Sequence, residues 1–171
     1  MANVIDVANF LIYSYEQRTG SKFEDSELKL QKLIYLAQRE SLALTGDVLF
    51  NDRIEGWKHG PVIPKLRFYL EEEYDPCETD KLNETEKYIV NNVISQYARY
   101  SGWYLRELSH EEISWQRSRV NLSENAPGDK EITPKDIIED AKKIRIYDHE
   151  YDMYIDEFED VDEEEVTFGF S

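Results

Sequence analysis

Residues 28–66 read LKLQKLIYLAQRESLALTGDVLFNDRIEGWKHGPVIPKL, and the fold turns on how this stretch is understood. Its first half places Leu30, Leu33, Ile34, Leu36 and Ala37 at helical spacing, which predicts one strong helix running from a cap at Asp25 or Ser26 to about Leu44. Gly46 follows as a residue suited to the left-handed conformation beyond a helix end. The second half is of a different kind. Residues 54–64 hold Gly56, Trp57, His59, Gly60, Pro61 and Pro64 within eleven positions. Glycine opens backbone angles that other residues avoid, while proline locks φ and removes a donor, so this segment predicts a sharply defined corner.

Outward from that stretch the chain is mostly helical. Val4, Ile5, Val7, Ala8, Leu11, Ile12 and Tyr15 recur along one face and predict a helix over residues 3–17 with Asn3 as its cap. Residues 48–57 read as a short extended segment. Pro64 is placed to open a helix over residues 65–73. Asn83 or Thr85 caps another, with Tyr88, Ile89, Val93, Ile94, Tyr97 and Ala98 as its stripe, and residues 103–108 form a shorter one. Residues 110–115 read as a second corner and residues 120–129 as a loop. Thr133 followed by Pro134 starts a last helix that reaches about Ile146. The expected fold is mainly α: a compact multi-helix single domain over residues 1–146, with one small extended segment around residues 48–57 and an acidic appendage over residues 147–171.

Charge supports that division. The 171 residues carry a net charge of −17, from 37 acidic and 20 basic side chains. Eleven of the acids fall in residues 148–165, which leaves the remainder with 26 against 20, or −6. Such a field opposes phosphate backbones and favours a basic protein surface. The single cysteine, Cys77, leaves no intramolecular disulfide and fits a reducing, cytoplasmic setting. The first residues lack a basic n-region, and no apolar run approaches the roughly 20 residues that span a bilayer, so neither secretion nor a membrane partner is expected.

The residues that could carry chemistry are few. His59, His110 and His149 are the only histidines, and no two share the four-residue helical spacing of a zinc site, so no metal is expected. His59 and His110 could form an acid–base site if they met Glu55 or Glu111; the plainer expectation is that each fixes a corner beside a tryptophan. Cys77 stands among Asp75, Glu78 and Asp80, which dulls a thiolate. Phosphate-cradling glycine repeats are missing, so no nucleotide cofactor is expected. Arg99, Arg106, Arg117, Arg119 and Lys130, with Lys135, Lys142, Lys143 and Arg145, beside Tyr97, Tyr100, Trp103, Tyr104 and Trp115 could be assembled into a single-strand platform, against the net field. Twelve tyrosines suit protein interfaces better.

Three blocks together resemble the Panacea domain family, the SocA-like antitoxins of bacterial toxin–antitoxin operons and prophages. Residues 29–38, KLQKLIYLAQ, are similar to its Leu-x-Lys-Leu-x-Tyr helix. Residues 54–64 are similar to its Glu-Ala-Trp-x-x-Gly-Pro-Val-x-Pro signature, and residues 108–115, LSHEEISW, to its Leu-Thr-His-x-x-x-x-Trp element. A last helix opened by Ile132 and Thr133 also fits, so the resemblance covers residues 1 to about 146. Gly56 stands where the family usually has Ala, Arg67 where an aromatic often follows the second proline, and Ser114 where Pro commonly precedes the tryptophan. The resemblance implies a non-enzymatic antitoxin that neutralises a partner toxin by direct contact. Alternatives are an adaptor delivering a toxin to a cytosolic protease, or a phage or mobile-element inhibitor of a host protein. Trp57, His59, Gly60, Pro61, Pro64, His110 and Trp115 are then the structural motif.

The tail lies outside the resemblance. Tyr147, Tyr151, Tyr154, Phe158 and Val161 keep near-helical spacing, Tyr151, Met153 and Ile155 alternate as in a strand, and the charge density alone suits disorder. It is either a solvated solubility tail or an arm that engages a basic toxin surface, with Tyr151, Tyr154 and Phe158 as anchors and Asp156, Glu157, Glu159 and Asp160 steering encounter. Self-association into a homo-oligomer stays open.

Overall fold

The computed structural model describes residues 2–23, 26–144 and 148–149. Helix α2, Glu27–Thr45, is the axis of the fold. Ser26 caps it by accepting from the Lys29 amide, and Gly46, at φ 77°, ends it with its N–H bonded to the Leu42 carbonyl. Every residue from Lys29 through Leu42 is buried, so the helix is enclosed around its whole circumference. Its neighbours are α1 (Val4–Thr19), α4 (Glu84–Tyr97), α5 (Gly102–His110) and α7 (Pro134–Ala141). The strands β1 (Glu55–Trp57) and β2 (Gly60–Val62) form an antiparallel hairpin in which Trp57 pairs with Gly60, and β2 lies against α2. Val7, Leu11, Leu33, Ile34, Ile89, Val93, Leu105 and Ile137 meet in a single core.

The apolar stripe of α2 explains only part of this. Its polar residues are buried as well, and an unanswered polar group in a core costs several kcal/mol. Four of them, Lys29, Gln31, Lys32 and Gln38, are answered by backbone groups of the segments around the helix. Lys29 Nζ donates to the Ala98 carbonyl at 2.9 Å and Lys32 Nζ to the Pro61 carbonyl at 2.8 Å. The Gln31 side chain bonds both the N–H and the carbonyl of Ile63, at 2.8 and 3.1 Å. Gln38 Oε1 accepts from Leu49 and Phe50, and its Nε2 returns a bond to the Phe50 carbonyl. The central helix therefore supplies the hydrogen bonds that loops cannot make for themselves.

The other helices start where capping chemistry places them. Asn3 caps α1, Ser101 caps α5, and Asn83 with Glu86 and Thr133 with Asp136 form reciprocal capping boxes on α4 and α7. Three elements differ from the sequence expectation. The helix expected over residues 65–73 is a single 3₁₀ turn, Pro64–Leu66, then a break at Phe68 (φ 64°), then a short α3, Tyr69–Glu72. The break is tied down by Glu27, whose carboxylate accepts from the Phe68 amide at 3.0 Å and pairs with Arg67 at 3.2 Å. The corner expected at residues 110–115 runs into a helix, α6, Ile113–Ser118. Its free N–H groups at Ile113 and Ser114 are taken by the two oxygens of Asp140 on α7, at 2.7 and 2.9 Å, a cap supplied from 26 residues away. The last helix stops at Ala141. Among the described residues there are thus seven α-helices where the sequence predicted six, and none is long and apolar enough to cross a membrane.

Candidate functional site

The hairpin corner is built by four elements. Gly60 is at φ 112°, and a Cβ there would lie 2.5 Å from Ser109 Oγ and 2.7 Å from Lys32 Cε, so both the angle and the space require glycine. With Gly60 in place, Lys32 straps β2 through the Pro61 carbonyl, and Pro64 opens the following turn. From the other side Trp115 Nε1 donates to the Trp57 carbonyl at 2.8 Å, while His110 stacks on the Trp115 ring at 4.0 Å and 9°. Trp57 Nε1 donates to Glu55 Oε1 at 2.9 Å. The corner residues picked out by sequence thus meet around the hairpin, where their visible contacts position backbone.

The electrostatics bear on the acid–base alternative. His59 Nδ1 accepts from Arg106 Nε at 2.8 Å. Partial burial, then Arg106, Lys58 and Lys32, lower the His59 pKa; partial burial and Arg106 do the same to His110. The carboxylate of Glu107 opposes that shift at His110, and the net direction at both imidazoles is downward. Glu55, the carboxylate nearest in sequence, is occupied by Trp57 and by Arg53 at 2.8 Å. Lys32 is the most perturbed cation: burial, then the charge of Arg106, bring its pKa down to about 7.

Beside the hairpin lies a cavity of about 360 Å³, walled by Leu28, Trp57, His59, Val62, Arg67 and Trp103. The Arg106 guanidinium lies 4.4 Å from the Trp103 ring centre, and Arg67 lies 5.3 Å from that of Trp57. Sequence reading did not place Trp103 here, because the wall joins the start of α5 to a hairpin more than 40 positions earlier. An aromatic two positions after the Ser101 cap is its one local signal. A second cleft, of about 430 Å³, is lined by Tyr97, Tyr100, Tyr104 and the buried pair Arg39–Glu112, joined at 2.6 Å. Burial draws the Arg39 pKa down, but Glu112 together with Tyr97 and Tyr35 raises it on balance and keeps the guanidinium charged.

The remaining sequence candidates separate. Arg119 is buried and donates to the carbonyls of Ala126 at 2.6 Å and Gly56 at 3.3 Å, so it leaves the basic platform that sequence could assemble. Burial, then Asp75 and Asp6, raise the Cys77 pKa. His149 is buried on α4, where its amide donates to Asn92 Oδ1 at 2.9 Å and its ring lies against Tyr88. No cluster of three or more His, Cys, Asp or Glu side chains able to hold a metal occurs among the described residues. Tyr151, Tyr154, Asp156, Glu157, Phe158, Glu159 and Asp160 lie outside the described residues.

The three departures from the family pattern each have a local counterpart. Gly56 leaves the space that Ser118 fills, Arg67 spreads over Trp57 and Phe68, and Ser114 donates an N–H to Asp140 that a proline would lack. No curated protein and no solved structure matches the chain. The family model described as antitoxin SocA-like, Panacea domain matches residues 30–116, which run from α2 through the hairpin into α6 and take in all the corner residues named above. That span is half of the chain, and the protein belongs to the SocA-like Panacea family.

Proposed function

We propose that this protein is an antitoxin that binds and neutralises a partner toxin by direct protein contact in the cytoplasm. Membership of the SocA-like family carries the reading. The body supports it in kind: the signature residues are spent on framework, while Phe68, Trp103 and Tyr104 stand on the surface as large aromatic contacts. In this reading residues 1–146 are the folded domain and residues 147–171 are an arm. Its carboxylates Asp156, Glu157, Glu159 and Asp160 steer a basic toxin surface, and Tyr151, Tyr154 and Phe158 anchor it.

The test is genetic and direct. A small reading frame beside this gene, expressed alone, is expected to arrest growth, and co-expression with this protein to restore it, with the two proteins co-purifying. Restoration without a stable complex, accompanied by protease-dependent loss of the toxin, would replace the blocker by an adaptor. A neighbour that is harmless alone would overturn the reading.

A further inference from the structure

The surface around the hairpin cavity combines three features. Trp103 and Phe68 are 58% and 54% exposed, and Phe68 is held at φ 64°, a conformation an aromatic residue rarely adopts without external constraint. Three cations converge there, Lys58 and Arg67 on the rim and Arg106 on Trp103, with the Lys32 amine, whose pKa is about 7, beneath. Three carboxylates oppose them: Glu27 on Arg67, Glu107 on Arg106 at 2.6 Å, and Glu55 on the Trp57 indole, the last neutralised by Arg53 at 2.8 Å. The corner is therefore locally positive on a molecule of net charge −17. Its complement is a segment with apolar anchors set among carboxylates.

The chain contains such a segment. Residues 150–171, EYDMYIDEFEDVDEEEVTFGFS, lie outside the described residues and enter by their sequence alone. Ten carboxylates accompany Tyr151, Tyr154, Phe158, Phe168 and Phe170. The segment leaves from His149, fixed to Asn92 on α4, and the end of that helix abuts the start of α2, where Lys29 reaches the Ala98 carbonyl. Asn92 to Ala98 is about 9 Å along a helix, and 22 extended residues reach roughly 70 Å, so the corner is within range. Tethering supplies an effective concentration on the order of millimolar, enough for a weak site to fill. We propose that the corner formed by Trp57, Phe68 and Trp103 is a docking surface, and that its occupant in the free protein is the chain's own acidic-aromatic segment, residues 150–171. A basic partner surface would then compete with the corner for the same arm. The inference goes beyond the antitoxin reading and stands without it.

The experiment uses the intact chain labelled at its indole nitrogens, whose three Trp signals report Trp57, Trp103 and Trp115. The first variant replaces Asp162, Glu163, Glu164 and Glu165 by their amides; the second is Phe168→Ala with Phe170→Ala. At low salt the Trp57 and Trp103 signals are expected to move in both variants, while Trp115, bonded inside the corner, stays. Raising salt from about 20 to about 500 mM should carry the wild-type signals toward the variant positions, as screening shortens to a few ångströms. Identical Trp103 signals in wild type and both variants overturn the proposal. Movement in the carboxylate variant alone also overturns it, since charge without anchoring is not docking. A wild-type signal that reverts on tenfold dilution assigns the occupant to a second copy and overturns the intramolecular site; one that dilution leaves alone supports it.

Discussion

At the scale of single residues, Gly56 shows how tightly the corner is fitted. A Cβ at this position would lie 1.8 Å from Ser118 Oγ and 2.6 Å from Ser118 Cβ, so Gly56→Ala overpacks a site with no room to give. The expected cost is about 1–3 kcal/mol, read by urea unfolding, and Gly56→Ala combined with Ser118→Gly should recover most of it. Lys32 makes a different prediction. Its amine has a pKa of about 7 in the folded protein and near 10.5 when exposed. Between those values the unfolded chain holds a proton that the folded chain does not, so stability rises with pH from about 7 to about 10. Below pH 7 the full cost of the buried charge is present. Lys32→Met removes the titration, so the stability of wild type relative to the variant should climb by up to about 1 kcal/mol per pH unit across that window. A pH-independent difference would show that the ammonium is solvated. The lowered pKa values of His59 and His110 act in the same direction at lower pH: the unfolded chain takes up protons first, and stability falls as pH drops below about 6.5.

At the scale of elements, α6 exists because of a residue on another helix. Asp140 accepts from the amides of Ile113 and Ser114, and Ser114 Oγ bonds the buried Tyr35 hydroxyl at 2.8 Å. Asp140→Ala leaves two helix-end donors without their cap and should cost about 1–2 kcal/mol, with faster amide exchange confined to residues 113–118. Loss of α7 protection of equal size would mean that Asp140 acts within its own helix instead. This dependence also marks what sequence can disclose. The helices α1, α2, α4 and α7 are written in local terms, as apolar period and caps at Asn3, Ser26, Asn83 and Thr133, and they were legible. The turn at Gly60 is local in the same way, because its φ of 112° requires glycine. The break at Phe68 and the cap of α6 depend on Glu27 and Asp140, partners 41 and 26 positions away, and no local pattern contains them. The same holds for the cavity wall at Trp103, and for Lys29, Gln31, Lys32 and Gln38 of α2, whose partners are backbone groups distant in sequence.

At the scale of the whole molecule, charge and framework are separable. The core draws on residues 4–141, whereas residues 148–165 hold eleven of the acids. Between them His149 is 7% exposed and bonds Asn92, itself fully buried. A chain ending after His149 keeps that bond, and its thermal midpoint is the reference for the body alone. One ending at Tyr147 loses it, along with the His149 ring against Tyr88, and a buried hydrogen bond worth about 1 kcal/mol corresponds to a fall of roughly 2–4 °C in a chain of this size. Calorimetry of the two truncations separates the outcomes: equal midpoints would show that residues 148–149 add nothing to the body. The truncation after His149 also isolates the arm in binding. If residues 150–171 contact a basic partner, their removal should flatten the salt dependence of affinity while leaving the fold intact, because the screened interactions go with the segment that carries the charge.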